Sequence, residues 1–143
     1  ALILLTLAAG PVLAAAPKEA IPDFGTVLPK ANLQIGQQIA AQCAQCHDTT
    51  NTKFNQFGPP LWGVVGRARA TAPGFKYSPA MKADHSPWTF AKLYVYLRSP
   101  QATVPGTPMT FPGVRNAQNR INVIAYLRTL SDHPVPIPPP AKK

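Results

Sequence analysis

Negative charge is what this chain has least of. Asp and Glu number 5 against 14 Lys and Arg, so the 143 residues carry a formal +9. Yet only 13% of them are charged, about half the usual quarter. The basic residues form no run, which excludes the electrostatic footprint of a nucleic-acid binder. Cysteine is equally scarce. Two are too few for a disulfide framework or a four-cysteine zinc site. They permit one bridge, a redox pair or one covalently attached cofactor. No run alternates apolar and polar residues, so no strand is predicted. What is abundant is proline, 18 residues beside 9 glycines. That share falls below low-complexity disorder, so these residues punctuate many short segments. An apolar fraction of 45% supports a single core in one domain.

Residues 1–16 (ALILLTLAAGPVLAAA) are apolar and uncharged. They read either as the hydrophobic part of a secretory signal with a small-residue cleavage site, or as a membrane anchor. As a helix they rise about 24 Å, short of the roughly 30 Å hydrocarbon core. Either reading places the rest of the chain outside the cytoplasm. Residues 17–31 have Pro17, Pro22 and Pro29 and no periodicity, which predicts an extended linker. Residues 134–143 (PVPIPPPAKK) form a proline-rich tail, expected to be polyproline-like and mobile.

Between them, residues 32–133 carry the helical signals. Asn32 is placed to cap a helix over LQIGQQIAAQC, with Ile35 and Ile39 one turn apart. Ser78-Pro79 and Ser86-Pro87 each pair a cap residue with proline at the first helical position. After the second, Phe90, Leu93, Tyr94 and Leu97 repeat at helical spacing until Pro100. Val123, Tyr126, Leu127 and Leu130 repeat it again near the end. The chain is therefore all-α with long loops, and its core is thin for its length. Something beyond side chains is expected to fill the middle.

Both cysteines lie in Cys43-Ala44-Gln45-Cys46-His47, the C-x-x-C-H attachment pattern of c-type haem. Residues three apart on a helical turn share a face, so both thiols can meet the vinyl groups of one porphyrin. His47 then falls beneath the iron as proximal ligand. A thioredoxin-like redox pair needs a βαβ context that is absent. A zinc site needs ligands beyond His85 and His133. For the sixth position the candidates are Met81, Met109, His85 and His133. Met109 stands out, in the loop Val104 to Gly113 that Pro105, Pro108 and Pro112 stiffen. Met81, in a short Ser-Pro-capped segment, reads as packing.

From about Ile35 to Ser131 the chain resembles a class I cytochrome c, of the mitochondrial and bacterial c2 type. The resemblance rests on CAQCH, GPPLWGVVGR, APGFKYS, the isolated Trp88, LYVYLRSP, PGTPMTFPG and INVIAYLRTL, without a gap and in order. It implies a fold of three main helices plus short ones, with long loops wrapped around one covalently bound haem c. It also implies thioethers at Cys43 and Cys46, with His47 and Met109 as the axial metal ligands. Pro59 matches the residue whose carbonyl takes the proximal imidazole N–H. Arg67, Tyr77 and Trp88 match groups that hold the haem propionates, Tyr96 and Thr107 those around the Met sulfur and inner propionate, and Phe111 the aromatic at the exposed haem edge.

The implied function is one-electron transfer rather than enzymatic catalysis, between membrane redox complexes. A bc1-type quinol-oxidising complex is the donor, and a terminal oxidase or photosynthetic reaction centre the acceptor. The alternative is a fixed cytochrome subunit of a larger membrane-bound respiratory or dehydrogenase complex. The implied place is the periplasmic side of a bacterial inner membrane, with the mitochondrial intermembrane space as second choice. Membrane contact would run through residues 1–16, and no nucleic acid is a partner. One departure bears on partners. Where mitochondrial relatives place a ring of docking lysines, this chain has Gln42, Gln56, Gln101, Pro108 and Asn116, with only Arg115 positive. The charge is spread instead over residues such as Lys53, Arg69, Lys76, Lys82 and Lys92. Docking is therefore expected to be mainly apolar, through Pro108, Phe111, Pro112 and Val114.

Overall fold

The computed structural model describes residues 19–142. Six α-helices follow in order: α1 (Phe24–Val27), α2 (Leu33–Ala40), α3 (Pro79–Lys82), α4 (Phe90–Arg98), α5 (Pro100–Thr103) and α6 (Ala117–Thr129). Single 3-10 turns occupy Leu28–Lys30 and Cys43–Gln45. Among the described residues no strand forms, and one isolated bridge joins Ala68 to Pro87. The expected all-α architecture, with three long helices and long loops, is what is seen.

The three main helices begin where a side chain satisfies an otherwise orphaned backbone N–H. Asn32 Oδ1 accepts from Ile35 N at 3.0 Å, Thr89 Oγ1 from Lys92 N at 3.2 Å, and Asn116 Oδ1 from Asn119 N at 2.9 Å. The Ser86-Pro87 start is thus corrected. Helix α4 begins three residues later behind Thr89, because Pro87 is held in the bridge to Ala68. Pro100 ends α4 as expected and then serves at the start of α5.

Helices α2 and α6 cross at Gly36. A β-carbon there would overlap the carbonyl of Asn122, so only glycine lets the two backbones approach. The Asn122 side chain ties the same crossing to the start of α2, accepting from Asn32 N at 3.0 Å. Helix α4 also packs on α6, and Leu93, Tyr94 and Leu97 of the one share a single buried core with Ile121, Ile124 and Leu127 of the other.

Both ends of the domain depart from expectation. Within the predicted linker 17–31, Asp23 caps α1, and Phe24 and Leu28 are buried in the core. Phe24 packs edge-on to Tyr94 at 6.0 Å and lies 5.7 Å from Phe90. Pro29 does not oppose this helicity, since it occupies the first turn, where no N–H is required. The tail is free of helix, as proline demands, but it is bound rather than mobile. Arg128 Nε donates to the Val135 carbonyl at 2.6 Å, Ala141 N donates to Asp23 Oδ2 at 3.0 Å, and Val135 and Ile137 pack on the core.

The segment from Glu19 to Leu28 forms an N-terminal strap over the core, tied to α6 by an ion pair that is buried on its arginine side. The Arg120 side chain is 0% exposed, and Nη2 lies 2.6 Å from Glu19 Oε2. Its Nη1 donates to the carbonyls of Val114 and Arg115 at 2.7 and 2.9 Å. Tyr94 donates its hydroxyl to Glu19 Oε1 at 2.7 Å. That bond, with the charge of Arg120, holds the Glu19 carboxyl below its ordinary range. The signal-or-anchor reading of residues 1–16 lies outside the described residues, among which no helix is long and apolar enough to cross a membrane.

Candidate functional site

The C-x-x-C-H segment follows directly from α2 and closes on itself. Cys46 N and His47 N both donate to the Cys43 carbonyl, at 3.0 and 2.9 Å. In such a tight turn residues three apart nearly eclipse, which aligns the two sulfurs. Both thiols are free, Cys43 half-buried and Cys46 exposed. Burial pushes the Cys43 thiol above its ordinary pKa.

The His47 ring is fixed from two sides. Its Nδ1 lies 2.7 Å from the Pro59 carbonyl. Gly58, whose N–H donates to Cys46 O at 2.8 Å, leaves room for the ring that a β-carbon would fill. A carbonyl only accepts, so Nδ1 carries the hydrogen and Nε2 keeps its lone pair. Burial lowers the basicity of His47, against the Pro59 bond, and the charge of Arg67 lowers it further. The ring is held neutral, the form that ligates a metal.

Asp48, next in sequence, organises the loop beyond. Its carboxylate accepts from Thr50 N and Oγ1 at 2.8 and 2.7 Å, from Thr52 Oγ1 at 2.6 Å and from Phe54 N at 2.8 Å. The Thr52 bond and its companions hold Asp48 far below the usual carboxylate range. A lowered folded-state pKa means stability that is present above the unfolded value, near 4, and lost as pH falls through the folded one. In paired acid titrations followed by circular dichroism, Asp48→Asn is expected to be less stable at neutral pH. It should also lose less stability between about pH 4 and 2. Parallel curves for the two proteins would refute this role.

A second group forms around Met109. Its loop is anchored by Thr107 N to Val104 O at 3.1 Å and Met109 N to Thr107 Oγ1 at 3.3 Å. At the far end Gly113, at φ +102°, packs on the Arg98 carbonyl, where a β-carbon would overlap. Tyr96 donates its hydroxyl to Met109 Sδ at 3.2 Å. Burial raises the Tyr96 phenol, while the nearby charge of Arg69 lowers it. Trp88 packs on Tyr96 with ring centroids 4.8 Å apart. Trp88, Tyr96, Thr107 and Met109 thus form one contiguous group.

The remaining candidates are satisfied locally. Arg67 donates to the carbonyls of Pro60 and Trp62, at 2.8 and 3.2 Å. The Tyr77 hydroxyl accepts from Ala72 N at 3.1 Å, and its ring meets Phe75 edge-on at 4.8 Å. Phe111 is half-buried in the Met109 loop. Met81 makes no contact of this kind with Tyr96, and its Sδ lies instead 3.6 Å from Arg69 Nη2. Sequence reasoning counted Arg69 among dispersed charges, yet it is 8% exposed. No composition or period signals this. It follows from the Ala68–Pro87 bridge, which turns Arg69 inward beside Trp88.

Residues 33–131 match the family model described as Cytochrome c. The chain belongs to the cytochrome c family. A cytochrome c homolog of Bradyrhizobium diazoefficiens is 40% identical over 90% of this chain and 69% of its own length. The cytochrome c-type cyt cy of Rhodobacter capsulatus is 53% identical over 62% of this chain, but only 43% of its own. Among solved structures, cytochrome cH from Methylobacterium extorquens is 37% identical with a TM-score of 0.63, over 69% of this chain and 99% of that one. This is a class I cytochrome c in sequence and in fold, and the family's role is electron transfer with covalently bound haem c. The donor set suits that group. Two free thiols on one turn and an imidazole with Nε2 uncommitted would fit its attachment, and the thioether of Met109, held by a tyrosine, is a further donor of suitable chemistry. Among the described residues no trio of His, Cys, Asp and Glu gathers as a rival metal site.

Proposed function

We propose that this cytochrome binds one haem c through thioethers to Cys43 and Cys46, with His47 and Met109 as axial ligands. It then works as a one-electron carrier between membrane redox complexes. The observation that carries the reading is the His47–Pro59 bond of 2.7 Å, immediately beside the only two cysteines. When bound, the haem supplies the Fe(II)/Fe(III) couple. The chain's own residues supply its environment. The Pro59 carbonyl fixes the tautomer and aims Nε2, raising its basicity as a ligand. Tyr96 restrains the Met109 thioether, limiting what reorganises when the charge changes. With two protein ligands no position is left open for dioxygen or substrate, which is the chemistry of a carrier and not of an enzyme. Trp88, Tyr77 and Arg67 are assigned to the haem carboxylates, Thr107 to the Met109 side and Phe111 to the exposed edge.

The donor is a bc1-type complex and the acceptor an oxidase or reaction centre, on the periplasmic side of the membrane. The ring positions Gln42, Gln56, Gln101, Pro108 and Asn116 are all exposed and uncharged. Pro108 and Pro112 are exposed, whereas Phe111 and Val114 are half-buried. The most exposed aromatics are instead Phe57, at 91%, and Phe54, just before Gly58 and Pro59. Phe57 adds exposed apolar surface beside the ring position Gln56, which suits docking by apolar contact with little long-range steering.

Acid–acetone extraction of the holoprotein tests the attachment. The colour should stay with the polypeptide, and Cys43→Ala/Cys46→Ala should release it. Free extraction from the unmodified protein would overturn the assignment.

A further inference from the structure

Two guanidinium groups are buried in this domain, and they are bound differently. Arg120 spends its Nη atoms on backbone carbonyls and on Glu19, holding the N-terminal strap. Arg69 lies on the side of the Met109 group. Its guanidinium carbon is 4.6 Å from the Trp88 ring centroid, Trp88 packs on Tyr96, and Tyr96 holds the Met109 sulfur. The partner of Arg69 is Asp84, 2.7 Å from Nη1. The two are unequally solvated. The Arg69 side chain is 10% exposed and that of Asp84 44%.

Asp84 is also shared. Lys92 Nζ lies 3.6 Å from the same oxygen, and Ser86 N donates to the other at 2.8 Å. Water and Lys92 therefore screen the carboxylate more than they screen the cation inside. The buried Nε of both arginines lacks an acceptor among the described residues, but Arg69 Nη2 has in addition only the weak acceptor Met81 Sδ, whereas both Nη atoms of Arg120 meet oxygen. A buried guanidinium with an unspent N–H is costly unless an anion or strong acceptor completes it.

We propose that Arg69 is a potential-setting residue, whose undercompensated charge and free Nε–H stabilise the reduced haem and an anionic carboxylate at its edge. The inference rests on the His/Met-ligated haem reading. An added positive charge disfavours the ferric state, which carries one more unit of charge than the ferrous, so it raises the potential. Asp84 acts with opposite sign.

Spectroelectrochemical titration of the holoprotein tests this, with the Met–iron charge-transfer band followed in parallel. Arg69→Leu is expected to shift the ratio of reduced to oxidised protein at fixed poise roughly three- to tenfold toward oxidised. Tenfold corresponds to about 59 mV for one electron. Asp84→Asn should move it the opposite way, and this variant decides the matter alone if Arg69→Leu does not accumulate with haem. Ratios within twofold of the parent in the variants obtained, whatever their melting temperatures, would make Arg69 a structural contact only. Failure of the underlying reading is distinct, because the parent protein itself would then lack the band.

Discussion

Met109→Ala is expected to remove the red Met–iron charge-transfer band of the proposed His/Met-ligated haem and to lower the midpoint potential by on the order of 0.2 V, well inside the span of about 0.8 V that axial ligands command. Two observations predict an effect of this size. The loop bearing Met109 is held at both ends, by Val104 O on one side and by the close fit of Gly113 on Arg98 at the other. A rigid loop offers no neighbouring thioether to take the vacant place. The Tyr96 hydroxyl already sits 3.2 Å from the sulfur, so its loss leaves a buried donor unpaired as well. Water or hydroxide would take the position, and harder ligands favour the ferric state. Met81→Ala is the control. Its sulfur meets Arg69 and not Tyr96, so the band should persist while stability falls by about 1–2 kcal/mol for a half-buried methionine. A band that survives in Met109→Ala and vanishes in Met81→Ala would reverse the assignment.

Gly36→Ala is expected to cost at least about 3 kcal/mol, a large part of the 5–15 kcal/mol that holds a typical domain together. The alanine methyl would fall on the backbone carbonyl of Asn122, and no rotamer change relieves a clash between a β-carbon and a backbone atom. Helices α2 and α6 must separate or slide, and Asn122 would lose its bond to Asn32 N. Thermal unfolding of the holoprotein should show a fall in melting temperature of about 6–12 °C. Helix α2 leads directly into the C-x-x-C-H turn, so haem attachment should suffer too. Gly74→Ala, by contrast, meets nothing closer than ordinary contact, at 3.6 Å from Asn55 Nδ2, and tests the strain of φ +72° alone, near 1 kcal/mol. Equal losses in the two variants would show that the helix crossing is not the sensitive point.

Local chemistry wrote much of this protein into its sequence. The C-x-x-C-H turn, Asn32 as a cap, the Pro100 stop and the faces of α4 and α6 follow from spacing, capping and ring constraints that act within a few residues. Met109 stands out as the proposed sixth ligand by the same local logic, because the prolines around it announce a stiff loop. What depends on residues distant in sequence was not legible. Phe24 enters the core because Phe90 and Tyr94 meet it some seventy residues on, and Leu28 is buried in the same core, so a proline-bearing stretch that reads as linker becomes part of the domain. The proline tail is fixed by Asp23 and Arg128, and no property of the tail itself reveals either. The buried state of Arg120 and Arg69 is the plainest case. Arginine is ordinarily a solvated residue, and only the meeting of Glu19 with α6, and of Asp84 and Trp88 with the Ala68–Pro87 bridge, makes burial of its charge tolerable. The sequence pattern alone nominates the proposed ligands, Cys43, Cys46, His47 and Met109. The tertiary structure alone decided which charges lie beside them, because burial and pairing are properties of neighbours, not of residues.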